Sequence, residues 1–111
     1  MPDGAVYAAS KAAVLGWTRT IASEWGVELN CRCNCVNPAI KTPMYEAWLA
    51  NSEPDVLEPY LAMMKQRFPI DGDMGSVDRD LAPVMVFLAS RESRYINGQV
   101  ICVNGGLAMV R

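Results

Sequence analysis

The sequence predicts an α/β fold built on a parallel sheet. Two short apolar runs, Cys31–Asn37 and Gln99–Val103, read as buried strands, and the stretch between them reads as helices and loops. Parallel strands need a crossover of this kind, which is right-handed in nearly all sheets. A parallel sheet must also be covered on both faces, and two strands alone make a poor one. More structure is therefore expected on the N-terminal side of the first strand.

From Val6 to about Gly26, Ala, Leu, Trp and Ile recur at helical spacing among good helix formers, with Gly26 as the expected stop. The strand Cys31–Asn37 follows and should end at Pro38. Pro43 suits the first turn of a helix running through Tyr45, Trp48 and Leu49. Asn51-Ser52-Glu53-Pro54 is a break. A second helix from Val56 to about Phe68 carries Val56, Leu57, Tyr60, Leu61 and Met64 on one face. Asp71–Gly75 is an acidic loop, and Ser76 or Asp78 can cap a helix over Leu81–Ser90. Asn97-Gly98 is a turn into the last strand, and Gly105-Gly106 follows that strand.

Composition narrows the function. The 111 residues suit one small domain, and 51% apolar content is enough for a core. A net charge of -2 with no run of Lys or Arg argues against nucleic acid as a partner. No stretch is apolar enough to span a bilayer, and Met1–Gly4 lacks the features of a secretory signal, so a cytoplasmic location is expected. The chain has no histidine. This removes Ser-His-Asp hydrolysis, Cys-His proteolysis and most zinc enzymes, leaving proton transfer to carboxylates, Lys, Tyr or Cys. On a strand, Cys31, Cys33 and Cys35 would share one face. The favoured reading is small apolar residues in a reduced core, with no metal, and the alternative is a metal or redox role involving Cys102.

The chemistry centres on Tyr7-Ala8-Ala9-Ser10-Lys11. Residues four apart share a helix face, so Tyr7 and Lys11 project together. An ammonium held near a phenol stabilises the phenolate, as an acid–base group acting on a carbonyl or alcohol oxygen requires. A bare Tyr-x-x-x-Lys is common by chance, so the flanking segments carry the weight.

Val6–Val14 resembles the active-site helix of the short-chain dehydrogenases/reductases, and Ala22–Gly26 resembles the end of that helix. Arg32–Pro38 resembles the family's sixth strand, Thr42-Pro43-Met44 the start of its substrate-loop helix, and Val86–Ser90 with Tyr95–Gly106 its C-terminal helix and last strand. The match covers essentially the whole chain in the right order. It implies the C-terminal part of a Rossmann-like doubly wound parallel sheet, two strands plus flanking helices. The N-terminal dinucleotide-binding half would be missing, and residues 1–111 would form the catalytic and substrate half, with substrate-loop helices at about 43–68.

The resemblance also implies roles. Tyr7 would be the catalytic acid/base, and Lys11 would support it and bind the nicotinamide ribose. Pro38, Ile40 and Thr42 would lie beside the nicotinamide of NAD or NADP, Ile40 offering its backbone to the carboxamide. The substrate would be a small-molecule secondary alcohol or ketone, and the protein a homo-oligomer, dimer or tetramer. Ser10 is not the family's catalytic serine, which lies upstream of the tyrosine.

The departures from the family pattern are specific. No Gly-rich turn follows a first strand, so no phosphate cradle is present in the 111 residues. The usual Pro-Gly reads Pro38-Ala39, the stretch from Pro38 to Thr42 is one residue short, and the stretch from Glu24 to Asn34 is one residue long. Met44, Trp48, Met63 and Met64 suit either an apolar substrate or, as favoured here, packing of the substrate loop itself. Two functions follow: an NAD(P)-dependent oxidoreductase whose isolated 111 residues are expected to be inactive, or a non-catalytic truncated assembly module or degenerate product.

Overall fold

A computed structural model describes residues 4–109. In order, the elements are helix α1 (Gly4–Leu29), strand β1 (Cys35–Pro38), helix α2 (Pro43–Asn51), helix α3 (Pro54–Arg67), a π-helical turn (Val77–Leu81), helix α4 (Ala82–Ala89), a 3-10 turn (Arg91–Ser93) and strand β2 (Val100–Val103). β1 and β2 form a two-stranded sheet. Cys35 N–H donates to Gln99 O and Ala39 N–H to Val103 O, so both strands advance in the same direction and the pair is parallel, as expected. The chain divides into two compact units, one of residues up to Val36 with Phe87–Ile101, the other of Asn37–Val86 with residues from Cys102 onward.

In the first unit, α1 runs past its expected stop. Gly26 keeps helical backbone, and the chain turns instead at Asn30, whose φ of 52° is left-handed. Asparagine tolerates that region better than most residues, and Val27-Glu28-Leu29 has no breaker. Cys31 N–H then reaches back to Trp25 O at 3.2 Å.

β1 is shorter than predicted because residues 31–34 spend their hydrogen bonds elsewhere. Cys33 N–H donates to Asn97 Oδ1, Cys33 O accepts from Gly98 N–H, and Asn34 Nδ2 donates to Ile96 O. The shared cysteine face is thereby overturned. Cys31 and Cys33 precede the strand, Cys31 is exposed, and Cys33, Cys35 and Cys102 are only half-buried. All four are free thiols. Titration of the denatured, unreduced protein should therefore find four reactive thiols, with Cys31 reacting first in the native state. Fewer than three, or protein-bound zinc, would contradict this.

In the second unit, Thr42 caps α2 through Oγ1, which accepts from Tyr45 N–H at 3.2 Å, and Pro43 fills the first helical position. α3 begins at Pro54, two residues earlier than its apolar pattern suggested, and tolerates Pro59 in its interior. The two helices are pinned by aromatic rings. Trp48 meets Tyr60 edge-on at 4.8 Å, and Tyr60 donates its hydroxyl to Tyr45 at 3.2 Å. Partial burial pushes the Tyr45 phenol well above its ordinary range. Met64 and Phe68 are the buried apolar residues of this unit.

The helix expected from Leu81 begins earlier, as the π-helical turn capped by Ser76 Oγ, which accepts from Arg79 N–H. Asp80 accepts from Ser76 N–H at 2.7 Å. That bond, reinforced by the Arg79 guanidinium, holds its carboxyl below the usual range. Among the described residues no helix is long and apolar enough to cross a membrane.

Candidate active site

Tyr7 and Lys11 stand in the first turns of α1, in the first unit. The residues between and just after them are Ala8, Ala9, Ser10, Ala12 and Ala13, strong helix formers for the most part, whose small side chains leave this face open. Helical periodicity brings the pair together as predicted: the Lys11 ammonium lies 5.5 Å from the centroid of the Tyr7 ring. Both side chains are exposed, Tyr7 at 65%. Ser10 Oγ donates to Tyr7 O at 2.7 Å, so its hydroxyl is occupied with its own helix.

Pro38, Ile40 and Thr42 lie in the second unit. Pro38 is the last residue of β1. Ile40 forms an isolated parallel bridge with Gly75, in which Lys41 N–H donates to Gly75 O and Gly75 N–H to Ala39 O. In such a bridge the central residue's own N–H and C=O face the opposite edge, and those of Ile40 take no partner among the described residues. That edge therefore offers one donor and one acceptor. Thr42 Oγ1 accepts the cap bond but keeps its own proton to donate.

A side chain at 75 would crowd the bridge. A Cβ there would lie 2.9 Å from Ile40 Cδ1 and 3.0 Å from Asp80. The Lys41–Asp73 ion pair closes the same neck, so residues between Thr42 and Met74 leave and return at one point. Ile40 and Gly75 also border a depression of about 460 Å³ in this unit. Asp71, Asp73 and Asp80 line it together with Arg79, which pairs with Asp71 and Asp80, while Lys41 pairs with Asp73.

A family model described as enoyl-(acyl carrier protein) reductase matches residues 1–108. A short-chain dehydrogenase/reductase of Cladobotryum is 38% identical over 105 residues, 95% of this chain and 40% of the relative. The chain belongs to the short-chain dehydrogenase/reductase family. The 3-oxoacyl-[acyl-carrier-protein] reductase of Thermotoga maritima is 40% identical over 109 residues, covering 97% of this chain and 40% of that protein. A short-chain dehydrogenase/reductase from Burkholderia thailandensis superposes with a TM-score of 0.73 at 33% identity, covering 91% of this chain and 37% of that one. The 4-hydroxyisoleucine dehydrogenase complexed with NADH gives 0.78 at 28% identity, with 96% and 41% covered. The chain thus spans about 40% of the length of the curated relatives it matches. Its two parallel strands and flanking helices are the C-terminal part of the family's Rossmann-like sheet.

The sequence reading missed the side chains that organise the first unit. Arg32 donates to four carbonyls, those of Leu88, Ser90, Ser93 and Ile96, and to the hydroxyl of the buried Ser93. Asn97 joins α1 to the approach of β1. Sequence offered only the family-like Arg-x-Asn and a turn-forming Asn-Gly as signals.

Proposed function

We propose that these residues form the catalytic and substrate half of an NAD- or NADP-dependent oxidoreductase acting between a secondary alcohol and a ketone. The observation that carries the reading is the Tyr7–Lys11 pair on one helix face of a family member whose named relatives are dehydrogenases and reductases. The nicotinamide, when bound, supplies or accepts the hydride. Tyr7 gives its phenolic proton to the carbonyl oxygen in reduction and takes the hydroxyl proton in oxidation. Lys11 stabilises negative charge on the phenol oxygen and donates to the ribose hydroxyls.

Ile40 offers a free backbone N–H and C=O to the carboxamide, with Pro38 fixing the chain direction just before it. Thr42 offers a hydroxyl proton from the α2 cap. The substrate-covering loop is assigned to residues of about 43–68, within which α2 and α3 lie. The phosphate cradle must come from outside these 111 residues. Val14, Trp17 and Trp25 on α1 and Met85, Val86 and Phe87 on α4 are exposed, and faces this apolar call for cover. A homo-oligomer supplies part of that cover in this reading.

Lys11→Ala tests the pairing in the protein as its gene encodes it. The variant should weaken dinucleotide affinity, slow turnover and move the pH optimum, because the ammonium serves both the ribose and the phenol. An unchanged pH optimum with only substrate KM altered would reject the role.

A further inference from the structure

We propose that Asn97 is a positioning residue for the acid–base helix, fixing through one carboxamide the axial and rotational setting of α1 and hence of Tyr7 and Lys11. The inference rests on the catalytic reading of that pair and adds a residue far from it in sequence. All the groups concerned lie in the first unit.

Among the described residues of α1, only Thr18 and Ala22 are buried. With the half-buried Gly26 they recur every fourth residue, so one narrow face of small residues seats the helix. At its centre, Asn97 Nδ2 donates to Ala22 O at 2.9 Å, while Asn97 Oδ1 accepts from Cys33 N–H at 2.9 Å. One side chain therefore bridges the helix and the segment entering β1. A carboxamide is suited to this because it offers a donor and an acceptor on one rigid plane.

The helix and the Asn97-Gly98 turn approach closely at two glycines. A Cβ on Gly26 would lie 3.2 Å from Asn97 Nδ2. Gly98 has a φ of +70°, and a Cβ there would lie 3.2 Å from Ala22 Cβ. Asn97 also stands on a fixed base. Gly98 N–H donates to Cys33 O at 2.8 Å, and Asn34 holds Ile96 O and Gln99 N–H from the next position of the approach to β1.

Tyr7 lies about four helical turns from Ala22 along α1. A helix transmits an axial slide or a rotation along its length, so a small change at Ala22 arrives at Tyr7. Displacing a reacting group by about 1 Å costs on the order of 10²-fold in rate.

The test compares Asn97→Asp, Gly26→Ala and Asn34→Ala in the protein as its gene encodes it. Asn97→Asp keeps the shape and the acceptor for Cys33 but sets a carboxylate against Ala22 O. Its kcat should fall about tenfold with KM for the dinucleotide within about twofold. Gly26→Ala crowds Asn97 from the helix side while favouring helix, so kcat should fall by about threefold with thermal stability held or raised. Asn34→Ala loosens the base beside Asn97 but leaves both carboxamide bonds of Asn97 in place, and should lower thermal stability with a kcat loss well below that of Asn97→Asp.

Wild-type kcat in both Asn97→Asp and Gly26→Ala, with Tyr7→Phe inactive, overturns the positioning role and leaves Tyr7 its assignment. Equal losses of kcat in Asn97→Asp and Asn34→Ala also overturn it, by showing a general structural effect. Wild-type kcat in Tyr7→Phe as well rejects the catalytic reading beneath it. Should Asn97→Asp fail to fold, Gly26→Ala decides alone.

Discussion

Tyr7→Phe should abolish turnover while leaving the protein folded, with kcat falling by about 10²–10⁴-fold, the usual contribution of general acid–base catalysis. The ring is 65% exposed, and its hydroxyl makes no hydrogen bond among the described residues, so phenylalanine removes little besides the proton. No histidine exists in the 111 residues to take over the transfer. Lys11, one turn away, keeps its place, so the dinucleotide should bind nearly as before. Steady-state kinetics beside a thermal melt will show both halves of this. A variant that melts normally and retains more than about a tenth of kcat would remove Tyr7 from the acid–base role.

The 111-residue chain expressed alone should neither bind NAD or NADP with micromolar affinity nor remain a monomer. Pyrophosphate is held in Rossmann-like folds by a Gly-rich turn and a helix N-terminus. Here Gly72 and Gly75 flank Asp73, while Gly105-Gly106 follows the last strand and opens no helix among the described residues. Tyr7, Lys11, Ile40 and Thr42 would at best grip the nicotinamide end.

Association follows from the surface. β1 pairs with β2 along one edge and with no strand along the other among the described residues, an open edge that templates pairing. Trp17 and Val86 are 58% and 70% exposed, on helices whose apolar residues need cover. Calorimetry with each dinucleotide and light scattering at micromolar concentration test the two claims together. A monodisperse monomer that binds either dinucleotide at micromolar Kd would establish these residues as a self-sufficient domain.

Much of the fold and part of the site were legible in the sequence because they depend on neighbours along the chain. Helical period alone joins Tyr7 to Lys11. Pro43 fixes where α2 begins, and Ser76 caps the turn ahead of α4 by a side chain reaching three residues on. The apolar run before Asn104 becomes β2 within one residue of its predicted bounds.

The tertiary structure decided what depends on residues far apart. Whether residues 31–34 joined the strand turned on competition for their backbone groups, which the Asn97-Gly98 turn won. The end of α1 was set by Asn30 adopting a left-handed turn, while Gly26, the residue with the greater backbone freedom, stayed helical against Asn97. Arg32 found its carbonyls and Asn97 found Ala22 across 56 to 75 positions of sequence. Local propensity and periodicity fix which groups a segment offers. Which distant partner satisfies a buried N–H or C=O is settled only when the chain has closed and every such group must be paired.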